Sequence, residues 1–293
     1  MFFWFLYRLG YLLSNILPLK AAYWVAERFS DIQYSIAKKD RIAVQENLSK
    51  VLNKDVEDCR GLALNVVRNF GLYLVDFFRM ARLEKKDIES RIKLEGYEKF
   101  EGAFKKNKGV IMLSCHIGNW EMGGVVMGIL GHDISAVALT HQDKRINDFF
   151  IDQREKKGFK VIPIESATKR CVSVLLKKHL LALLADRDFT NSGMECDFFG
   201  VKTSIPKGPA LLSLKTNSPI VPVFFIREGK YNYRFIFEEP MEVVNHDGLT
   251  QEEIMQEANK KIVSVMEKYI RLYPDQWLVF RRFWEKIEGL KIL

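Results

Sequence analysis

The sequence predicts an α/β fold: a mostly parallel or mixed sheet flanked by helices, preceded by an N-terminal helical membrane anchor. Three observations predict it. Two short, wholly apolar runs, VIML at 110–113 and LLALLA at 180–185, have the length and continuity of strands that a parallel sheet buries on both faces. Strand-length runs alternate with helix-length amphipathic segments, the order that puts helices on both faces of such a sheet. The opening residues 1–19, MFFWFLYRLGYLLSNILPL, carry a single charge, Arg8, among many aromatic residues of the kind found at a membrane interface.

Each element follows from its local pattern. Residues 1–19 fall short of the ~20 apolar residues that a spanning helix needs, and they lack a small-residue cleavage site. They are expected to lie in one leaflet or dip through it; the competing reading is a helix packed on the domain. Residues 21–54 read as an amphipathic helix. Residues 56–83 read as another, with Leu62, Val66, Phe70, Leu74, Phe77 and Phe78 at helical spacing. A strand at 91–95 and a helix at 97–106 lead to the first apolar run. The helix expected at 122–130 contains Gly123, Gly124 and Gly128. Helical glycine costs roughly 1 kcal/mol relative to alanine, so three of them imply close approach by another element or by an acyl chain.

Next come a strand at 134–140, a helix at 144–157, a strand at 159–164, a helix at 168–178 and the second apolar run. Residues 191–206 read as a long functional loop. A helix at 206–216, a strand at 220–226, one or two strands within 233–244 and a long helix at 251–272 follow, and 274–284 closes the chain. No repeat, low-complexity tract or linker divides it, so the expected organisation is an anchor over 1–20 and one domain over 21–293.

Composition narrows the function. With 293 residues, 48% of them hydrophobic, the chain can bury a large core. Cys59, Cys115, Cys171 and Cys196 show no CxxC spacing, which fits a reducing compartment and no zinc site. A formal net charge of +8 favours acidic partners: anionic lipid head groups, phosphates or an acidic carrier protein. The basic residues are scattered and no nucleic-acid motif appears, so nucleic acid is the least favoured partner.

The chemistry concentrates in GVIMLSCHIGNWE, residues 109–121. A buried strand ends near His116, Gly118 and Asn119 permit a sharp turn, and Glu121 falls in the first turn of the next helix. Ligands of open α/β sheets sit outside the carboxyl ends of the strands. A histidine there, with a carboxylate five residues on, has the parts of a base and its orienter. The plain alternative is a core histidine, with Glu121 an acid favoured by the helix dipole. The second apolar run delivers Asp186 and Asp188 to the same sheet edge, Asp186 first. His132, His141, His179 and His246 form no ligand spacing, so no metal is expected.

His-Ile-Gly-Asn-Trp-Glu resembles the His-x4-Asp/Glu motif of glycerolipid acyltransferases, in the branch that adds late acyl chains to lipid A in Gram-negative bacteria. The resemblance extends to ADRDF at 185–189, to DFFG at 197–200 with Thr203, Pro206 and Gly208, to IVPV at 220–223, and to QWL at 276–278 with Arg281, Arg282 and Phe283. These blocks, with RIAVQENLSKVL at 41–52, cover most of the chain.

The resemblance implies an acyltransferase domain that moves a fatty acyl group from acyl carrier protein, or acyl-coenzyme A, to a hydroxyl of a lipid A precursor, with no cofactor. His116 would act as general base, held by Glu121. Arg154, Asp186, Asp188, Gly200, Thr203, Lys207 and Gly208 would contribute to substrate binding, and Lys207 and Arg187 could meet phosphate. Partners would be the carrier, a membrane glycolipid acceptor and the cytoplasmic face of the inner membrane. Arg154, Lys156, Lys157, Lys169, Arg170, Lys177 and Lys178 are candidates to steer the acidic carrier. Alternatives are another glycolipid acceptor of mannoside or polyene type, or a non-catalytic peripheral protein that binds lipid.

Overall fold

The computed structural model describes residues 2–189, 192–245 and 247–285; Met1, Asn191 and His246, which entered the sequence reading, lie outside them. The chain begins as a layer of helices: α1 (Phe2–Ile16), α2 (Leu19–Ile36), α3 (Lys38–Leu52) and α4 (Arg60–Arg79). The single helix expected over 21–54 breaks at Ala37, whose ψ of 66° is not helical. The remaining elements alternate: α5 (Lys85–Arg91), β1 (Ile92–Glu95), α6 (Tyr97–Phe104), β2 (Val110–Ser114), α7 (Trp120–Ile129), β3 (Ile134–Ala138), α8 (Lys144–Glu155), β4 (Phe159–Pro163), α9 (Ala167–Leu176), β5 (Leu180–Leu184), β6 (Met194–Phe198), β7 (Val201–Ile205), α10 (Gly208–Thr216), β8 (Ile220–Glu228), β9 (Asn232–Phe237) and α11 (Gln251–Leu272).

Seven strands form one sheet in the order β1-β9-β8-β2-β5-β3-β4. All its neighbours are parallel except β8 and β9. The expected mixed, mostly parallel sheet is therefore present. The apolar runs became its centre, β2 and β5, and every residue of β2 is buried. Helix-side cores cover both faces: Phe100, Phe149 and Phe225 belong to one, Ile262, Met266 and Trp277 to the other. A buried polar cluster ties the helical layer to the sheet. Asp76 of α4 accepts from Tyr23 of α2, Tyr233 of β9 and the Arg227 guanidinium of β8.

Two expectations change. The N-terminal segment does not stand apart as an anchor. No helix among the described residues is long and apolar enough to cross a membrane. One face of α1 packs on the domain, where Trp4, Tyr7 and Tyr11 meet Phe78, Phe149 and Phe150 edge-on. Its other face leaves Phe3, Phe5, Leu6, Leu9, Leu12 and Ile16 exposed. The second change is the expected loop at 191–206, whose described residues hold an antiparallel hairpin, β6 and β7. Its turn residues, Phe199 and Gly200, both have positive φ, 53° and 75°. That suits a two-residue hairpin turn. Cys196 and Phe198 alternate inward along β6, a period-two signal that composition alone conceals.

Candidate active site

The site is a product of strand register. β2 and β5 pair in parallel, Val110 with Leu180 through Ser114 with Leu184. The same pairing carried two residues past both strands brings His116 opposite Asp186. His116 Nδ1 lies 2.7 Å from Asp186 Oδ1. The backbone N–H of His116 donates to Asp186 Oδ2 at 3.1 Å, and the Trp277 indole donates to the same oxygen at 3.2 Å. A carboxylate only accepts, so the proton of a neutral imidazole belongs on Nδ1, and Nε2 is left as an acceptor.

The turn after His116 is clamped from two sides. Gly118 donates its N–H to the Gln276 carbonyl at 2.9 Å, and Asn119 donates to the Phe225 carbonyl at 2.8 Å. Gly118 has φ of 61°, and a Cβ there would stand 2.0 Å from the Phe225 oxygen, so both conformation and space require glycine. The Asn119 side chain then accepts from the Met122 N–H and starts α7. Ile117 bridges Trp277, and Leu278 N–H donates to the His116 carbonyl at 2.8 Å.

Glu121 does not hold the imidazole, contrary to the expectation. Its carboxylate takes a bidentate pair from Arg154 of α8, 2.9 Å to Nε and 2.6 Å to a terminal nitrogen. The reason is geometric. The first turn of α7 presents Trp120 to the imidazole, with ring centres 5.0 Å apart, and directs Glu121 to α8. Asp186 reaches the ring through the neighbouring strand instead. Arg154 is correspondingly no steering charge: its side chain is 12% exposed and spent on Glu121. Lys156 pairs with Asp152.

Burial lowers the pKa of His116, and Arg187 adds to this, against the opposing pull of Asp186. The ring is therefore neutral at pH 7. Burial works against ionisation of Asp186, but His116 and Arg187 outweigh it and hold the carboxyl below the ordinary range. Burial also opposes the charge on Arg154, and Glu121 more than restores it.

An apolar cavity opens between α7 and the sheet; His116 and Asp186 do not line it, but Trp120, whose ring meets the imidazole, does. Its space, about 610 Å³ including the mouth, is walled by residues such as Gly123, Ala136, Ala182 and Val223, with Ser114, Trp120, Glu121 and Arg154 also lining it. The α7 glycines are mostly used for packing: a Cβ on Gly124 would strike the Phe159 ring at 2.5 Å, and one on Gly128 would strike the Lys157 carbonyl. Gly123 and Gly124 nonetheless line the cavity.

The remaining expected residues divide. Asp188 holds the base of the hairpin, accepting from Gly193 N–H and Ser204 Oγ at 2.8 Å each. Gly200 sits at the hairpin turn, Thr203 faces Cys196 across it, and Lys207 and Gly208 start α10. Among the described residues these four make no hydrogen bond or ion pair with His116, Glu121 or Asp186. No group of three potential metal ligands occurs among the described residues. Trp277 and Asn47 escaped the sequence reading as site parts. Buried Asn47 breaks the apolar stripe Val44, Leu48 and Val51 of α3, and that interruption was its visible signal.

A neutral histidine oriented by a buried carboxylate at the carboxyl edge of a parallel sheet, near an apolar cavity, defines an α/β protein with a candidate general base. Comparison with known proteins places it. The bacterial lipid A biosynthesis acyltransferase family matches residues 1–286, so the chain belongs to that family. It is similar to a phosphatidylinositol mannoside acyltransferase of Mycobacterium tuberculosis, 28% identical over 170 residues, which cover 56% of this chain and 54% of the relative. A Mycolicibacterium smegmatis protein of the same description is 28% identical over 64% of this chain and 63% of its own length. The chain thus spans less than two thirds of these relatives. It is also 21% identical to the lipid A biosynthesis palmitoleoyltransferase of Escherichia coli over 91% of this chain and 86% of that protein.

Proposed function

We propose that this protein transfers a fatty acyl chain from a thioester, on acyl carrier protein or coenzyme A, to a hydroxyl of a lipid A precursor. The observation that carries the reading is the His116–Asp186 couple, whose Nε2 is left as an acceptor, with Trp120 between its ring and the apolar cavity. The acceptor hydroxyl loses its proton to Nε2 as its oxygen attacks the thioester carbonyl. Asp186 stabilises the charge the ring gains. The tetrahedral intermediate expels a thiolate, which takes the proton back from the imidazolium. An ester forms, a thioester breaks, and no cofactor enters.

The acyl chain lies in the cavity under α7, and the Glu121–Arg154 pair braces its wall. Membrane association is peripheral, through the exposed apolar face of α1, at the cytoplasmic face of the inner membrane. Family membership supports the lipid A acceptor. The 28% identity to mannoside acyltransferases favours a second reading, a mannoside-bearing glycolipid acceptor.

Mass spectrometry of lipid A from cells with and without the protein, and with His116→Ala, tests the first reading. Loss of one acyl chain in the deletion and in the variant is the expected result. Unchanged lipid A, with acylation of a mannoside glycolipid by the purified protein, would move the assignment to the second.

A further inference from the structure

We propose that Arg187 and Arg281 form a binding site for a phosphate group immediately beside the His116–Asp186 couple. The source of the phosphate rests on the acyl-transfer reading; the site itself rests on the geometry below.

Arg187 directly follows Asp186. One of its terminal nitrogens donates to the Leu278 carbonyl at 3.0 Å, and Leu278 N–H donates to the His116 carbonyl at 2.8 Å. A single residue therefore joins Arg187 to the backbone of His116. Arg281 lies three residues further on, in a segment that Asn47 fixes. The Asn47 amide donates to the carbonyls of Val279 at 3.3 Å and Arg281 at 2.7 Å, and its oxygen accepts from Phe283 N–H at 2.9 Å.

The two guanidiniums are under-satisfied. The Nε of each is closed off from solvent and has no hydrogen-bond partner among the described residues. The Arg281 side chain makes no hydrogen bond or ion pair there at all. Both side chains are half-buried, so each also remains partly open. Burial lowers both pKa values, and Arg281 further lowers that of Arg187. Among the described residues, the one carboxylate that acts on both is Asp186, already committed to His116 and Trp277. Neighbouring charges are spent as well: Glu121 on Arg154, and Arg282 on Glu46 and Glu285. Two cations thus share one occupied carboxylate in a partly desolvated place. A phosphate supplies the missing negative charge and acceptors that match the guanidinium fork.

Donor and acceptor both offer that group, as the phosphodiester of a phosphopantetheine arm or a phosphorylated lipid head. The test measures the melting temperature of the full chain in inorganic phosphate against chloride at equal ionic strength. The wild type is expected to gain stability with phosphate. Arg281→Gln should match or exceed the wild-type melting temperature without phosphate, because an unpaired half-buried charge is removed. Its apparent phosphate affinity should be weaker by at least about tenfold, a loss of about 1.4 kcal/mol. Arg281→Lys should recover part of it.

No wild-type response, an unchanged response in Arg281→Gln, or a lower phosphate-free melting temperature in that variant would each overturn the site. Competition against phosphate by phosphopantetheine assigns it to the donor. Competition by vesicles containing a phosphorylated lipid A precursor or phosphatidylinositol assigns it to the acceptor, and competition by none of these overturns its role in substrate binding. None of these measurements needs turnover, so the site and the proposed reaction can fail separately.

Discussion

Replacing Asp186 by asparagine separates the two carboxylates that compete for the role of orienter. Asp186 is fully buried and accepts from His116 Nδ1, His116 N–H and the Trp277 indole. An asparagine has one acceptor oxygen and two N–H donors in their place. If the oxygen faces Nδ1, the amide hydrogens meet the His116 N–H and the indole. Two buried donors then go unsatisfied, at about 1–3 kcal/mol each. If the amide nitrogen faces Nδ1 instead, the imidazole proton moves to Nε2 and the base is lost. Either outcome should lower kcat by ~10²–10⁴-fold, the range for a lost orienter or base. Asp186 opposes the burial that lowers the His116 pKa, so its removal shifts that pKa further down. The acid limb of the rate profile should move to lower pH, and raising the pH should not rescue the rate. Acyl transfer is followed by release of free thiol, with the melting temperature recorded alongside. Glu121→Gln should act differently: it weakens the brace on Arg154 and leaves the imidazole tautomer intact. A folded Asp186→Asn protein with near wild-type turnover, or a Glu121→Gln variant with the greater loss and a shifted tautomer in nitrogen NMR, would refute the assignment.

Gly118→Ala must strain the backbone at φ 61° and push a methyl group against the Phe225 carbonyl; a loss of roughly 1–3 kcal/mol in denaturant unfolding is expected. For the membrane surface, Leu9→Asp with Leu12→Asp alters only exposed positions of α1. It should move the protein from sedimented vesicles to the supernatant with an unchanged circular dichroism spectrum; retention on vesicles would exclude this face. Among the proposed steering residues, Arg154 is spent on Glu121 and Lys156 on Asp152, which leaves Lys169 and Arg170 of α9 as the pair to test. That helix follows a parallel strand, so its first turn lies at the edge that carries His116. Lys169→Glu with Arg170→Glu should raise KM for carrier-bound acyl chains at low salt and flatten its salt dependence, because exposed charges are screened over ~8–10 Å at physiological salt. An unchanged KM would reject the patch.

The sequence by itself determined the sheet and its catalytic edge. VIML and LLALLA are apolar on every residue, the pattern of a short strand covered on both faces, and that placed His116 and Asp186 at strand ends. It did not determine which carboxylate meets the ring. His-x4-Glu suggests the nearer residue in the chain, yet register between β2 and β5 brings a residue 70 positions away to 2.7 Å. Contacts across a parallel sheet depend on strand order and register, and neither is written in local periodicity. The same limit hid the roles of Trp277, Asn47 and Arg281, supplied by α3 and the closing segment. The membrane reading divides likewise. The aromatic crowding of residues 1–19 was visible, but only packing against α4 and α8 decided that Trp4, Tyr7 and Tyr11 turn inward. Phe5, Leu9 and Leu12 are left outside, because a helix shows each neighbour a different face.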